Sequence, residues 1–536
     1  MGKMKITLKY GFTLLVAATS MFIFTGCIDE AEMTNGATSE QVSTNENATE
    51  AFLMSIPSKM LQVWNSSNAY AWGYGGLMHV RDMQTEDMVC NDNGSGYNWF
   101  MQWSQNVQCG RDYLAVQYLW NISYEIINAA NNVISAVDTT AMNDAQRGYL
   151  GAAFAFRAMI YLDLAREYEW LENDVTTPQS PEGNDIKGLT VPIISESMDE
   201  SQQRSNPRAK KEDMMAFILS DLNKAEEMIP SLSLSDKTLP HLDCVYGLYA
   251  RYYMWTGDYA NAEKYARLAI NNASTQPISE SEALNTATGF NTLSQFMLGV
   301  QYTESSIEHS LMNWTSWMSN ETTYGYAAVA PIFIDKNMYD RISNTDWRKL
   351  MWKAPAGSAL DGQNTYCDPE IGASLGDYAS LKFRPGSGNT AEYIKASATA
   401  IPLMRVEEMY FIEAEAAAHQ DAAKGKQLLE EFMKTYRDPS YTCTVTSTDD
   451  VVEEIIFQKR VELWGEGQTF FDIKRLNYSV TRGYTGTNHM ASETFNTNGR
   501  PGWMTWVITL QEENGNSGVR GYNNPDPSGL YNPWTE

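Results

Sequence analysis

Paired carboxylates are the first groups in this sequence that could do chemistry. The 536 residues carry 66 Asp and Glu against 39 Lys and Arg, a net charge of −27, so acid pairs are unavoidable. A glycosidase needs two acids facing one pocket, about 5–10 Å apart. Glu413 and Glu415 lie two positions apart on a predicted helix, so their side chains point about 200° away from each other. This pair does not predict catalysis.

Other catalytic patterns are equally weak. Residues 372–376 match the GxSxG pattern of a serine nucleophile, but no apolar strand precedes them, which favours a loop. The sequence has no HExxH, P-loop or Rossmann fingerprint, and no Cys/His cluster with zinc spacing. We therefore expect no catalytic residue, no metal-ligand motif and no cofactor. The acid excess also argues against nucleic-acid binding.

Aromatic side chains in polar loops indicate binding. The chain has 15 Trp, 30 Tyr and 18 Phe, and several stand among Gly, Asn, Ser and Gln. Stacking on the apolar face of a sugar ring needs flat aromatic faces beside groups that bond hydroxyls. The alternative for each ring is core packing, which we expect for the helical Trp120, Trp170, Trp255 and Trp464. The candidate glycan-binding residues are Trp72, Asn98, Trp99, Trp103, Trp314, Trp317 and Tyr324.

The first 50 residues predict export and attachment to a membrane. Three lysines precede an apolar stretch from Phe12 to Phe24, as in a secretory signal peptide. Gly26-Cys27 resembles a bacterial lipoprotein processing site, which implies a signal peptide over 1–26 and lipidation (palmitate) of Cys27. The alternatives are an ordinary secreted protein or a single anchor helix. The acidic, polar residues 27–50 predict a flexible tether.

Five cysteines remain after Cys27. Cys90 and Cys109 lie in loop-like sequence and are the plausible disulfide pair in an oxidising compartment, although spacing alone leaves this open.

Hydrophobic periodicity predicts a mainly α-helical domain over 51–536. The periodicity and small-residue turns indicate about four tetratricopeptide-like hairpins, which form a scaffold at about 113–272 and 402–475. A loop-rich half with few short strands, about 60–112 and 273–400, covers it and faces the ligand. The predicted helices are 113–137, 144–170, 211–229, 241–256, 259–272, 402–419, 421–436 and 450–464.

Ordered blocks along the chain resemble the SusD/RagB family of surface lipoproteins. Residues 156–164 (FRAMIYLDL) are similar to the family's Arg-Ala-x-x-Tyr-x-x-Leu helix, and 250–259 to its Ala-Arg helix and hairpin. The C-terminal blocks are more specific. Residues 401–416 form one signature, and 459–467 with 471–475 are similar to the family's Glu-Arg-x-x-Glu-Leu…Glu-Gly…Asp-Leu-x-Arg region. Lys459 replaces the usual Glu there.

The resemblance implies a binding protein rather than an enzyme. Family members capture nutrients and sit on SusC-type TonB-dependent transporters of the outer membrane, so we expect oligosaccharide capture and delivery. The alternatives are a RagB-like peptide receptor and, less favoured, a glycan-cleaving enzyme. Residues 28–32 resemble the export signal of Bacteroidetes surface lipoproteins, which implies a lipid-anchored protein facing the cell exterior. The family's ligand residues vary, so none is carried over.

Charged residues inside the C-terminal apolar periods have a structural explanation. Buried charges persist only when they are paired and hydrogen-bonded. We therefore predict scaffold ion pairs at Arg405, Glu407, Glu413, Arg460, Glu462 and Asp472.

Overall fold

The computed structural model describes residues 46–64, 69–90, 100–307, 311–531 and 533–535. The predicted signal peptide, Cys27 and the tether up to residue 45 lie outside the described residues, as do Asn98 and Trp99.

Helices dominate the described part of the chain. The longer ones are α1 (Glu46–Leu61), α2 (Tyr74–Met83), α4 (Leu114–Ala136), α5 (Asp144–Tyr168), α7 (Lys211–Met228), α8 (Leu242–Thr256), α9 (Tyr259–Asn272), α15 (Val406–Gln420), α16 (Ala422–Tyr436), α17 (Thr448–Glu462) and α18 (Thr469–Leu476). The short ones are α3 (Met101–Ser104), α6 (Glu200–Gln203), α10 (Glu280–Ala283), α11 (Trp314–Met318), α12 (Lys336–Arg341), α13 (Pro369–Ser374), α14 (Tyr393–Ser397) and α19 (Leu510–Gly515). The strands are β1 (Met88–Cys90), β2 (Leu298–Gln301), β3 (Ile332–Ile334) and β4 (Ala400–Met404).

The mainly α-helical prediction is confirmed, with corrections at three places. The predicted helix at 402–419 begins only at Val406, because residues 400–404 form β4. Helix α1 starts at Glu46, so the last five residues of the predicted flexible tether are helical. Helix α2 lies in the predicted loop-rich half. All ten of its residues are buried, so it has no polar face that would reveal a helical period.

The scaffold is a continuous series of helices, each packed on the next. Helix α4 packs on α5, α5 on α7, α8 on α9, α9 on α15, and α15 on α16 and α17. Gly257 ends α8 with φ 76°, a left-handed conformation that favours glycine and allows the immediate turn into α9. Gly425 lets α16 approach α15, because a Cβ there would lie 2.4 Å from that of Ala418. None of the described helices combines the length and apolar character needed to cross a membrane.

Two small antiparallel sheets connect the halves. Strand β1 pairs with β3, with Met88 opposite Ile334 and Cys90 opposite Ile332. Strand β2 pairs with β4, which leads directly into α15. No disulfide joins Cys90 to Cys109 in the described structure, so the pairing considered from sequence is not formed.

A buried ion network fastens the loop-rich half to the scaffold. Glu462, at the end of α17, accepts hydrogen bonds from Arg437 (2.7 and 2.9 Å), Arg405 (3.2 Å) and Arg348 (3.1 Å). All four side chains are 0–1% exposed. Burial alone would raise the pKa of Glu462, but Arg437 and Arg405 hold this pKa well below its usual value.

The predicted scaffold ion pairs are confirmed. Arg405 also contacts Glu407 at 2.8 Å. Arg460 reaches back to Asp87 in the loop-rich half, Glu413 pairs with Arg267, and Asp472 pairs with Lys459 at 2.9 Å. Glu415 pairs instead with Arg475 at 2.6 Å, so Glu413 and Glu415 have separate partners.

We predict that Glu462→Gln destabilises the protein by about 3–5 kcal/mol, because it leaves three buried guanidinium groups short of a counter-charge. The measurement is the urea unfolding midpoint. Since the folded-state pKa of Glu462 is depressed, its contribution is present above the ordinary carboxylate pKa and is lost as the pH falls towards the folded-state value.

The matched control is Glu200→Gln, which removes an exposed carboxylate paired with Arg204 on one short helix. We expect its midpoint to equal that of the wild type. Equal midpoints for all three proteins at neutral pH would contradict the role of the network.

Candidate functional site

Four of the candidate tryptophans lie in the core. Trp72 is 0% exposed, and Trp103, Trp314 and Trp317 are each 1% exposed. Trp72 and Trp314 meet edge to face with ring centroids 6.0 Å apart. The indole N–H of Trp317 donates to the carbonyl oxygen of Ala69 at 3.0 Å. A ring without an exposed face cannot stack on a sugar, so the expectation that these four rings face solvent is wrong.

The polar neighbours of these rings explain the error. Asn313 is the N-cap of α11 and accepts from the backbone N–H of Ser316 at 3.0 Å. Asn320 donates to the carbonyls of Ile332 (2.7 Å) and Ser380 (3.1 Å). These amides are buried and bond the backbone, whereas the sequence context suggested that they face water. A loop with a polar sequence therefore contains a buried aromatic cluster.

Tyr324 is the described candidate that stays partly exposed. Its ring lies 6.2 Å from that of Tyr393, centroid to centroid, at an interplanar angle of 62°. Tyr393 is 45% exposed. Tyr326, also half-buried, stacks on Trp317 at 4.3 Å. We call Tyr324, Tyr326 and Tyr393 the tyrosine face.

Backbone hydrogen bonds fix the tyrosine face. The N–H of Thr323 donates to the carbonyl of Thr390 at 2.8 Å, which joins the segment carrying Tyr324 to that carrying Tyr393. The hydroxyl of Tyr324 lies 2.8 Å from that of Ser397 on α14. Burial raises the pKa of Tyr324 to about 12, so its hydroxyl keeps its proton at neutral pH.

The surroundings of Tyr393 are polar and exposed. Glu392 and Lys395 form an exposed ion pair at 2.7 Å on the same turn of α14. The amide of Asn389 donates to Glu392 at 3.2 Å. This edge offers amide, hydroxyl, carboxylate and ammonium groups beside an exposed ring, a set that can bond sugar hydroxyls. Among the described residues, no group of three or more His, Cys, Asp or Glu is arranged to hold a metal ion.

Sequence reasoning missed Tyr393 and Tyr326. The available signal was an aromatic followed by Ile394 among charged residues (AEYIK, 391–395), directly after the glycine turn at 386–388. Tyr393 and Ile394 are two large apolar residues between charged ones, without a helical period. We expect exposure in such a setting more often than for Trp314 and Trp317, whose helix is capped by Asn313.

The described residues on either side of positions 91–99 belong to the buried core. Cys90 pairs with Ile332, whose carbonyl Asn320 binds. The Phe100 ring is 4.7 Å from that of Trp317, on which Tyr326 stacks.

Comparison with known families decides the class of protein. Residues 33–254 match a SusD-like family described as "Starch-binding associating with outer membrane", and residues 336–525 match the SusD family. The chain belongs to the SusD/RagB family. Members of this family are binding proteins of carbohydrate uptake associated with the outer membrane. No curated protein is detectably similar to the chain.

Solved structures of the SusD/RagB class share the fold. A SusD-like carbohydrate binding protein from Bacteroides vulgatus is 22% identical, with a TM-score of 0.69 over 90% of this chain and 98% of the other. A SusD superfamily protein from Bacteroides thetaiotaomicron is 19% identical, with a TM-score of 0.66 over 90% and 100%. A second B. vulgatus SusD superfamily protein is 19% identical, with a TM-score of 0.67 over 90% and 99%.

We predict that Trp317→Ala lowers the free energy of unfolding by about 3–5 kcal/mol, because it empties a core position and removes a hydrogen bond. Tyr393→Ala, at an exposed ring, changes it by about 0.5 kcal/mol or less. Urea unfolding measures both. Equal, small effects would contradict the division between a buried tryptophan cluster and an exposed tyrosine face.

Proposed function

We propose that this SusD/RagB-family protein captures oligosaccharides at the cell surface and delivers them to a SusC-type TonB-dependent transporter. The observation that carries the proposal is the tyrosine face, with an exposed ring held at 62° to a second ring and flanked by amide and hydroxyl groups. Two rings tilted in this way can each contact a successive sugar of a bent oligosaccharide, whereas a flat oligosaccharide fits them less well.

The expected affinity is modest. Each aromatic contact contributes on the order of 1 kcal/mol beyond area burial, and each net hydrogen bond contributes about as much. Two or three rings and a few hydrogen bonds, after the cost of association, give a Kd of about micromolar to millimolar. Such a complex releases its ligand readily, as delivery to a transporter requires.

Asn98 and Trp99 remain proposed ligand contacts. Their support is the sequence Tyr97-Asn98-Trp99, in which aromatic rings stand beside an amide. Trp99 would add a third aromatic surface, and Asn98 a side chain that both donates and accepts hydrogen bonds.

A peptide receptor is the second candidate. The net charge of −27 favours basic peptides over acidic ones, and exposed tyrosines also bind cationic side chains. The two candidates differ in the ligand that the tyrosine face selects, so one binding screen separates them.

We predict that Tyr393→Ala weakens oligosaccharide binding about fivefold to tenfold, corresponding to about 1–1.4 kcal/mol of lost stacking. Isothermal calorimetry against neutral oligosaccharides and Lys-rich peptides measures the effect, and unfolding curves establish that the variant is folded.

The matched control is Tyr522→Ala. Tyr522 is 41% exposed, close to the 45% of Tyr393, but lies in the C-terminal segment, where its carbonyl accepts from Arg208. We expect unchanged binding. Equal binding by the Tyr393 variant and the wild type would contradict the placement of the site. Binding of peptides alone would favour the receptor alternative, and shortening of the oligosaccharide would favour an enzyme.

Delivery also requires attachment to the outer membrane. The support for lipidation is Cys27 after an apolar stretch with a lysine-rich start. A thioether-linked diacylglycerol and an N-acyl chain together anchor a protein stably, because two or more chains are needed for lasting insertion. The acidic residues that follow support transfer to the cell exterior.

We predict that Cys27→Ser abolishes labelling of the protein by radioactive palmitate and moves it from the membrane to the soluble fraction of its native host. Cys367→Ser, at a half-buried cysteine of the described structure, should leave labelling unchanged. Palmitate label persisting in the Cys27 variant would refute the assignment.

A further inference from the structure

A second cleft lies on the scaffold and shares no residue with the tyrosine face. It has a volume of about 390 Å³ and is bounded by the middle of α4, the segment around Ile194, Gln203 of α6, and Glu512 of α19. Small-molecule sites commonly fall between about 300 and 1,000 Å³.

An aromatic wall forms one side of this cleft. The half-buried Tyr124 ring lies 4.7 Å from that of Trp120, and its hydroxyl donates to the carbonyl of Pro192 at 2.7 Å. Trp120 in turn meets Tyr168 edge to face at 5.2 Å. These contacts fix the Tyr124 ring before any ligand arrives, which reduces the entropy lost on binding.

The segment that carries the lining residue Ile194 is also fixed by hydrogen bonds. The carbonyl of Ile194 accepts from the hydroxyl of Tyr161 (3.0 Å) and the amide of Asn131 (3.0 Å). The backbone at Ile194 is therefore fixed before a ligand arrives, and Ile194 adds an aliphatic residue to the lining.

The rim is polar and carries no cation. Asn121, Asn128 and Gln203 contribute amides, and Glu125 and Glu512 contribute carboxylates, whereas Lys and Arg are absent from the lining. Two carboxylates without a lining cation repel phosphates and acidic sugars. Amides that both donate and accept match the hydroxyls of a neutral sugar.

Both carboxylates at the rim already contact neighbouring side chains. Glu512 accepts from the amide of Asn516 at 2.8 Å and from the indole N–H of Trp120. Glu125 has Lys59 at 3.6 Å. Both carboxylates thus have partners in the free protein, and each keeps lone pairs for hydroxyl donors.

We propose that this cleft is a second binding site for a neutral sugar, separate from the tyrosine face. It holds one end or branch of an oligosaccharide, with a sugar ring on Tyr124 and its hydroxyls on Asn128, Gln203 and Glu512. The choice of a carbohydrate rests on the proposed function. A second weak site raises the effective concentration of a long chain at the first.

The test compares three proteins: Tyr393→Ala, the double variant Asn128→Ala/Gln203→Ala, and the triple variant combining them. Asn128 is exposed and Gln203 half-buried, so the double variant keeps the core intact, and thermal unfolding checks this. The probes are neutral tetrasaccharides of glucose, galactose, mannose and xylose, with tetralysine as the contrasting cation. Calorimetry gives affinities, and crystals soaked in the strongest binder locate it.

We expect Tyr393→Ala to retain weak tetrasaccharide binding, and the triple variant to bind about tenfold more weakly still. Soaked crystals should show sugar on Tyr124. The proposal is overturned if the triple variant binds like Tyr393→Ala, if Tyr393→Ala alone abolishes binding, or if tetralysine occupies the cleft in place of sugars.

Failure of the proposed function gives a different pattern. If only the cleft substitutions weaken binding, the cleft is supported and the tyrosine face is not. If only Tyr393→Ala weakens tetrasaccharide binding, the tyrosine face is supported and the cleft is not. If the wild type binds no tetrasaccharide, in solution or in crystals, both proposals are wrong.

Discussion

The structure depends on the need of buried charges for partners. Glu462 sits at the end of α17 with less than 2% of its side chain exposed and binds arginines from three separate parts of the chain. Arg405 precedes α15, Arg437 follows α16, and Arg348 belongs to the loop-rich half. A charge so far from water is tolerated only if every partner is in place. The network therefore fixes the position of the loop-rich half on the helices. Apolar packing must offset the free energy that is lost when these charges are removed from water.

This constraint determines what the loop-rich half can present. The core beneath it is a buried aromatic cluster around Trp314 and Trp317. Asn313 caps the helix that carries both rings, and Asn320 donates a hydrogen bond to the backbone of Ile332. The segment carrying Tyr324 and Tyr326 emerges from that cluster and is bonded through Thr323 to the segment carrying Tyr393. The tyrosine face is thus held by hydrogen bonds between the two segments although its outer ring is exposed. A preformed face of this kind loses little entropy on binding.

The helical scaffold was predictable because its signals are local. The apolar period of α4 and the Gly257 turn between α8 and α9 follow from spacing and backbone sterics alone. That these charged residues form ion pairs was predictable, because a charge within an apolar helical period must be paired. Which residues pair with which was not predictable. The site was not predictable: Trp314 and Trp317 look exposed because their Asn neighbours are polar, and those amides serve the backbone. Tyr393 meets Tyr324 only through tertiary pairing, about 70 residues apart along the chain.

The central claim is that a fixed scaffold presents the tyrosine face to an oligosaccharide. Amide hydrogen exchange of the wild-type protein, with and without a saturating oligosaccharide identified by the binding screen, tests it most directly. We expect slower exchange in residues 316–330 and 386–398, and unchanged exchange in the scaffold helices α5 and α15 to α17. Protection confined to other segments, or loosening of the helices around Glu462 on binding, would contradict the account.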